Sequence, residues 1–537
     1  MRRSAYRRRG WSGAATAFAC AAAGLMLAGA ASPVLAQEAM STAIPPPPAA
    51  SPEDLAAMRR ELQALKAENE AAKAAEAARA KRIDALDAQL SWAAGQAPPP
   101  PSPTSSGGED IVRLPARSPE GPEPGARWGG FEPGKGVIVM RSDAGEVDLG
   151  LVSYLRYLNQ HGMDKTYTSA FGQNFDVTPR EDFQLAKVQI TLRGWLFDPR
   201  FGYNAYVWTS QASQGLGAQV VVAGNINWTF ADWLKVYFGI HSVPSTRSTN
   251  RTFPYWLRND NRPIADEFFR GSYTQGIWAE GKIAKGLEYR VMVANNLSAL
   301  GVQARQLDAK PNTWSAALTW MPTTGEFGPA NGYGDFEQHQ KLATLFSAHY
   351  TRSTEDPQSQ PGTDSIENTQ IRLSDGTLLF SSTAFNTGGQ SNACEQKSVG
   401  CNRILEARYQ MAAFDAAFKY KGYAVEAEYY ARWLDNFKVE GTMPWTSLYD
   451  HGYSLQASAM VIPKTLQVYA SGSQIWGQYG NPNDLALGIN YFPLQRRDLR
   501  VNAMALWVKN SPVGYTAYPV PVGGNGFTFV TDFSLAF

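Results

Sequence analysis

The chain has 537 residues, with 49 basic and 48 acidic side chains and a formal net charge of +1. This balance argues against a nucleic-acid-binding protein, which would carry a concentrated basic surface. Its 15 Trp, 24 Tyr and 25 Phe are a heavy aromatic content for a chain of negative mean hydropathy, and membrane barrels collect such residues at their two lipid interfaces.

Residues 1–36 are predicted to be a secretory signal peptide. Five arginines stand in the first ten residues, an apolar stretch runs from about Ala14 to Leu35, and Ala36 ends a small-residue cleavage pattern. A retained membrane helix and a lipoprotein modification at Cys20 are the alternatives. No later apolar run reaches the roughly 18 residues of a spanning helix, so we expect an exported chain without one.

Three segments of different composition follow the signal peptide. Residues 37–50 form a Pro-rich linker and residues 93–130 a Pro/Gly/Ser-rich linker, and such compositions pack no core. Residues 51–92 between them are rich in Ala, Glu, Lys, Arg and Leu, and they are predicted to form a periplasmic coiled coil.

The coiled-coil prediction rests on apolar residues at heptad spacing from Leu55 to Leu90. Asn69, Glu76 and Arg79 interrupt the apolar seam near its middle. A lone solvated helix is the alternative. Because a coiled coil joins chains, this segment predicts an oligomer, and we expect a homotrimer.

Residues 131–537 are predicted to form an all-β, 16-stranded antiparallel transmembrane β-barrel. Alternating stretches of about ten residues recur, with short connections such as Asp198-Pro-Arg200 alternating with long ones such as 243–271, as in outer-membrane barrels. The connection 322–338 departs from this rule, because it is long on the short-turn side. A soluble sandwich is the alternative, but it would not explain the alternation. The predicted strands are 147–158, 183–196, 201–211, 219–230, 233–242, 272–281, 286–296, 312–321, 339–351, 405–420, 423–434, 452–462, 465–476, 483–492, 499–509 and 526–537.

The last strand shows the alternation most clearly. Phe527, Phe529, Phe533, Leu535 and Phe537 occupy every second position, with small and mostly polar residues between them. This pattern predicts one face toward lipid and one toward a polar interior. We expect the terminal Phe537 to be the signal read by the barrel assembly machinery.

Charged side chains on the strands are predicted to face the lumen, because lipid penalises a charge at mid-depth by about 2–4 kcal/mol. The predicted inward bases of the pore wall are Arg156, Lys187, Arg193, Lys235, Arg290, Lys419, Arg432 and Arg500. The predicted inward acids are Glu288, Asp415, Glu426, Glu428 and Asp532. A polar, mildly basic lumen in a wide barrel predicts a water-filled channel that favours anions. The alternative is that these charges pair with one another and only hydrate the wall.

The connection after the fifth strand carries five arginines within 24 residues. They are Arg247, Arg251, Arg258, Arg262 and Arg270, beside the acids Asp260, Asp266 and Glu267. If this third loop folds into the barrel, its guanidinium groups would form a pore constriction suited to phosphate or carboxylate. A surface loop with solvated arginines is the alternative.

Cys394 and Cys401 are predicted to form a disulfide, since an exported chain reaches an oxidising compartment. A metal site there would need two further ligands. The five histidines are scattered and no HExxH or Gly-rich phosphate loop is visible. We therefore expect no enzyme, no cofactor and no metal.

Several segments resemble the phosphate-selective porin O and P family. They are FQLAKVQITLRGWLFDPRFGYNAYVW, the segment Phe238-Gly-Ile-His-Ser-Val-Pro244, the hairpin NDLALGINYFPLQRRDLRVNAMALW and the terminal phenylalanine. The resemblance covers about 136–537 and implies trimers of sixteen-stranded barrels that pass small anions. Lys187, Arg193 and the loop arginines match the family's pore residues by strand order only. The family's lysine cluster has no counterpart in this loop, which contains no lysine.

The sequence thus predicts a porin in the outer membrane of a Gram-negative bacterium, passing phosphate-like anions or small carboxylates. Its expected partners are outer-membrane lipid, two further copies of the chain, the barrel assembly machinery and small anionic solutes, but no nucleic acid. A dicarboxylate-type trimeric channel with a similar coiled coil is one alternative. A structural membrane anchor with a periplasmic coiled coil is another.

Overall fold

The computed structural model describes residues 63, 66, 129–132, 135–210, 219–298, 311–357, 371–381, 384–385, 402–514 and 518–537. The chain divides into two compact units, Met1–Ser118 and Pro119–Phe537. Of the first unit the structure describes Gln63 and Lys66, both helical and exposed. The predicted signal peptide, the remainder of the coiled coil, nearly all of both linkers, and the Cys394–Cys401 disulfide lie outside the described residues.

The second unit is built almost entirely of β-strands. The described strands are β1 (Gly130–Glu132), β2 (Gly136–Ser142), β3 (Gly145–Met163), β4 (Thr166–Thr168), β5 (Asn174–Asp176), β6 (Glu181–Leu196), β7 (Asp198–Ser210), β8 (Gln219–Ala231), β9 (Leu234–Ser242), β10 (Tyr273–Ala284), β11 (Leu287–Ala294), β12 (Thr313–Trp320), β13 (Ala343–Glu355), β14 (Arg403–Tyr420), β15 (Tyr423–Glu440), β16 (Leu448–Ile462), β17 (Leu466–Trp476), β18 (Asn483–Tyr491), β19 (Leu499–Lys509) and β20 (Gly526–Ala536). One short helix, α1 (Ile264–Phe269), lies between β9 and β10. No helix among the described residues has the length and hydropathy needed to cross a membrane.

Sixteen of these strands, β3 and β6 to β20, close into one antiparallel barrel. Each strand from β6 onward pairs with the next, β3 pairs with β6, and β20 returns to β3. The predicted fold class and strand number are therefore confirmed. Each of the sixteen predicted strands overlaps one of the observed strands.

The outward face of the barrel is apolar, with aromatic side chains at both ends. On β12, Trp314 and Trp320 are 58% and 51% exposed and flank Ala316 and Leu318. Neighbouring strands place further exposed aromatics at Tyr350, Tyr420, Tyr423, Trp433, Tyr449, Trp476, Tyr491 and Trp507. An apolar band between aromatic girdles is the surface that a transmembrane barrel presents to lipid.

A short hairpin formed by β1 and β2 extends the barrel wall where its two ends meet. The C-terminal strand stops beside Leu151, which exchanges two backbone hydrogen bonds of 2.9 Å with Phe537. Beyond that point β2 pairs with the start of β3, from Val137↔Leu149 to Ser142↔Gly145. The ring of Phe131 lies edge-on to that of Phe537, with centroids 5.8 Å apart. The hairpin thus covers the edge of β3 that β20 leaves unpaired.

Candidate channel

The connection between β9 and β10, residues 243–272 and here called L3, lies inside the barrel. Its residues are almost all buried, and its polar groups bond to inward-facing side chains of distant strands. The Arg258 guanidinium, fully buried, pairs with Asp484 on β18 and donates to the Ser471 hydroxyl on β17 at 2.9 Å. Arg500 on β19 donates to the Trp256 carbonyl at 2.7 Å. L3 is therefore fastened against the β17–β19 wall.

A second segment enters the lumen from the opposite, short-turn end. Residues 321–342 between β12 and β13, here called T4, include the long connection that departs from the short-turn rule. The Lys419 ammonium on β14 donates to the carbonyls of Phe327 and Gly332 at 2.8 and 2.7 Å. The Asp335 carboxylate accepts the Gly422 backbone N–H at 2.8 Å. These contacts hold T4 within the barrel mouth.

L3 and T4 meet inside the barrel. The Tyr333 backbone N–H of T4 donates to the Tyr255 carbonyl of L3 at 2.8 Å. In return, Arg247 of L3 donates to the Asn331 carbonyl at 3.0 Å, and its guanidinium lies 4.8 Å from the centroid of the Tyr333 ring. Together the two segments occupy the lumen beside β14–β19.

A cavity of about 280 Å³ lies on the side of L3 that faces away from β14–β19. Inward residues of β3, β6, β7, β9, β10 and β20 line one side of it, and L3 lines the other. Its cationic lining residues are Arg193, Arg251, Arg262 and Arg270, and no aspartate or glutamate is among the described residues that line it. The lining is therefore basic even though the whole chain is almost neutral.

The five L3 arginines separate into two groups. Arg251, Arg262 and Arg270 line the cavity, whereas Arg247 and Arg258 do not. The lining arginines also contact acids behind them. Arg251 pairs with Glu280 at 2.8 Å and with Glu288 at 3.1 Å, and Arg262 and Arg270 share Glu267 at 3.3 and 2.6 Å. The guanidinium of Arg262 also lies 4.1 Å from the Trp256 ring. These contacts fix the direction in which each guanidinium faces the cavity.

Of the eight predicted pore-wall bases, the structure places Arg193 in the cavity lining. Lys187 lies nearby and pairs with Asp260 of L3 at 2.9 Å. Lys235 lies over the Tyr237 ring, 5.0 Å from its centroid.

The remaining wall bases are engaged with wall carboxylates or loop carbonyls. Arg156 pairs with Asp532 at 2.7 Å, Arg290 with Glu280 at 2.6 Å and Arg432 with Asp450 at 2.7 Å. Lys419 donates to carbonyls of T4, and Arg500 donates to a carbonyl of L3. These five side chains therefore form ion pairs or attach the two inserted segments to the wall.

Sequence reasoning missed the aromatic part of the lining. Tyr206, His241 and Tyr273 face the cavity together with Phe253 and Tyr255 of L3. The inward position of Tyr206 follows from strand alternation, since it lies two residues after Asn204, which also lines the cavity. Nothing in the sequence indicates that these five rings line one cavity. The insertion of T4 into the lumen could have been suspected from the unusual length of the connection 322–338.

No protein-family model and no curated protein matches the chain. Solved structures with a similar chain course include OmpT of Vibrio cholerae, at 13% identity and a TM-score of 0.44, covering 74% of this chain and 100% of that one. The anion-selective porin from Comamonas acidovorans has 11% sequence identity and a TM-score of 0.42, and the alignment covers 73% of this chain and 100% of that one. The outer membrane channel DcaP of Acinetobacter baumannii has 9% identity and a TM-score of 0.43, and the alignment covers 74% of this chain and 99% of that one. Similarities at this level assign the chain to no family.

Proposed function

We propose that the protein is an outer-membrane porin of a Gram-negative bacterium through which small anions diffuse passively, with its long connections facing the exterior. The observation that carries this proposal is the cavity beside L3, whose described lining has four arginines and no aspartate or glutamate. Guanidinium groups form charge-assisted, often bidentate hydrogen bonds with phosphate and carboxylate. A path with this lining attracts anions and repels cations.

The proposed solutes are phosphate-like anions or small carboxylates, because a guanidinium fork fits both. Passage requires that each contact stay weak enough for the anion to leave. A single ion pair at a wet surface is worth about 1 kcal/mol or less, so the four arginines must act together. The resemblance to the phosphate-selective porin O and P family favours phosphate. The absence of that family's lysine cluster from L3 counts against phosphate, and a dicarboxylate-type channel is the second candidate.

The test is the reversal potential of single channels in a planar bilayer with a KCl gradient. We expect the wild-type protein to prefer chloride and its current to be reduced by added phosphate or succinate. The double variant R193Q/R251Q removes two lining charges and the ion pairs of Arg251 with Glu288 and with Glu280, which keeps its ion pair with Arg290. Its reversal potential should shift toward that of potassium, and the reduction by both anions should weaken.

The matched control is R200Q, which changes an exposed arginine at the start of β7 that pairs with Asp198. It should keep the wild-type reversal potential. A wild-type channel that prefers potassium would refute the anion proposal. A folded barrel that does not conduct at all would favour the structural-anchor alternative, in which L3 and T4 serve only to fill the barrel.

A further inference from the structure

Three potential metal ligands lie together on the barrel wall beneath L3, outside the cavity lining. They are His349 on β13, Asp415 on β14 and Glu428 on β15, all buried. One ligand atom from each lies within 4.8 Å of the other two. The three residues come from three adjacent strands, so the wall itself holds them in place.

The two carboxylates lie directly side by side. Asp415 and Glu428 are paired positions in the β14–β15 register, and like charges opposite each other on neighbouring strands are destabilising. Glu428 accepts hydrogen bonds from the Arg247 backbone N–H at 2.9 Å and from the Tyr430 hydroxyl at 2.8 Å. Among the described residues it has no ion pair. A buried carboxylate needs a neutralising partner, and the hydrogen bonds leave that need unmet.

The nearby cations do not balance the acids. The Arg247 guanidinium is shared between Asp415 at 3.5 Å and Glu426 at 3.6 Å. Asp266 of α1 accepts from the hydroxyls of Thr246 and Ser248, at 2.9 and 3.0 Å, and lies 3.9 Å from Arg262, which it shares with Glu267. The wall and L3 therefore enclose more carboxylates than cationic side chains at this point.

The orientation of His349 makes it a suitable metal ligand. Its Nδ1 lies 3.0 Å from the Pro244 carbonyl of L3, and since a carbonyl only accepts, Nδ1 carries a proton. Nε2 lies 3.0 Å from Asp415 Oδ2. Neither of these two atoms can donate by itself, so the contact needs a proton between them, and a metal ion bound to both would take the place of that proton. A histidine that donates one ring nitrogen to a carbonyl and directs the other at an acidic site is the usual arrangement around a metal ion.

We propose that His349 Nε2, Asp415 and Glu428 bind one divalent transition-metal ion of the zinc or manganese class. One imidazole and two carboxylates suit such ions, and the doubly positive ion neutralises the two carboxylates. Metal–ligand distances of about 2.0–2.2 Å require small inward rotations of the three side chains. Because Pro244 and Arg247 of L3 contact two of the ligands, the ion fastens the start of L3 to the wall. This inference does not depend on the proposed transport function.

The experiment uses the full-length, tag-free protein folded in detergent and stripped with a chelator. One sample is dialysed against Zn²⁺ and a second sample against Mn²⁺. Excess ion is then removed, and the metal content of the protein is measured. We expect about one equivalent of Zn²⁺. Co²⁺ in place of Zn²⁺ should give visible absorption bands that report its ligand field.

The variants E428Q and H349N keep the side-chain shape and remove a ligand. Each should weaken Zn²⁺ binding by about tenfold or more, at least the effect of second-shell changes. H451N is the matched control, because His451 lies on the outer surface between Tyr449 and Trp476.

Two results would overturn the proposal. The first is a wild-type protein that retains neither Zn²⁺ nor Mn²⁺, because protons would then neutralise the carboxylates. The second is a folded E428Q variant that binds Zn²⁺ as tightly as the wild type. If both variants fail to fold, the wild-type stoichiometry and Co²⁺ spectrum decide.

Discussion

The ion pair between Arg156 and Asp532 lies at the seam where the last strand meets the first strand of the barrel. The two residues are opposite each other in the β3–β20 register, and the pair is bidentate and almost fully buried. Removing one member of such a pair leaves a buried charge unpaired, which costs about 3–5 kcal/mol. The seam therefore depends on this pair more than on any surface contact.

We predict that D532A lowers the temperature at which the folded barrel unfolds on heat-modifiability gels, and that R156M/D532L recovers part of the loss. The partly exposed pair Arg408–Asp435 offers a matched control, because D435A should cost at most about 1 kcal/mol. Equal unfolding temperatures for D532A and D435A would contradict this assignment.

Arg258 and Arg251 belong to the same loop but should behave differently when replaced. Arg258 is fully buried and fastens L3 to Ser471 and Asp484, whereas Arg251 lines the cavity. R258A should loosen L3 and increase conductance and current noise, because the loop loses its attachment. R251Q should mainly change ion preference. Single-channel recordings distinguish the two, and identical effects of both variants would argue against the division of roles.

At the scale of elements, a bidentate ion pair joins T4 to the short connection between β18 and β19. Arg497 binds Glu337 at 2.8 and 2.7 Å. Burial alone would raise the pKa of Glu337, but the charge of Arg497 outweighs burial and holds this pKa below its usual range. A carboxyl whose pKa is lowered by folding stabilises the folded state at pH values above the pKa of the same carboxyl in the unfolded chain, which is about 4.3. That stabilisation is lost as the pH falls through the lowered value.

We predict that current noise increases on acidification below about pH 4, because protonated Glu337 loses its ion pair with Arg497 and this part of T4 becomes more mobile. E337Q should show the same noise at neutral pH. E440Q, which changes an exposed glutamate paired with Arg403, should respond to acid as the wild type does. A noise level independent of pH in the wild type would show that T4 needs no ion pair.

The strands themselves were predictable because alternation is a local property. In β15, for example, Glu426, Glu428 and Tyr430 face inward and are separated by outward residues. The partner of each inward charge was not predictable, since Arg258 pairs with Asp484, which lies 226 positions further along the chain. The β1–β2 hairpin was also missed, because Val137-Ile-Val-Met140 is continuously apolar and shows no alternation.

The candidate site was predictable only in part, for a related reason. The five loop arginines indicated a basic constriction, but a sequence cannot show which arginines attach the loop and which line the cavity. Similarly, the scattered histidines gave no metal pattern. His349 approaches Asp415 and Glu428 only through strand register.

At the scale of the whole molecule, the C-terminal residue completes both the barrel and its contact with the N-terminal hairpin. Deleting Phe537 removes two backbone hydrogen bonds to Leu151 and the ring contact with Phe131. We predict that the deletion lowers the amount of heat-modifiable barrel in outer-membrane fractions. F537W, which retains an aromatic ring, should preserve most of it. Wild-type amounts after deletion would refute a role for this residue in assembly.

We further propose that three chains associate through the N-terminal coiled coil and the barrels. Removing residues 37–123 should leave a folded barrel, because the described β1–β2 hairpin and the barrel lie after this segment. Analytical ultracentrifugation in mild detergent should report a trimer for the full chain. A monomer there would refute the trimer.

The hydrogen bond between Tyr333 and Tyr255 joins segments that enter the barrel from opposite ends. L3 belongs to the long-connection end and T4 to the short-turn end, and Arg247 of L3 also donates to the Asn331 carbonyl of T4. A displacement of either segment would therefore strain its contacts with the other. The two ends of the barrel are thus connected through its interior as well as through its wall.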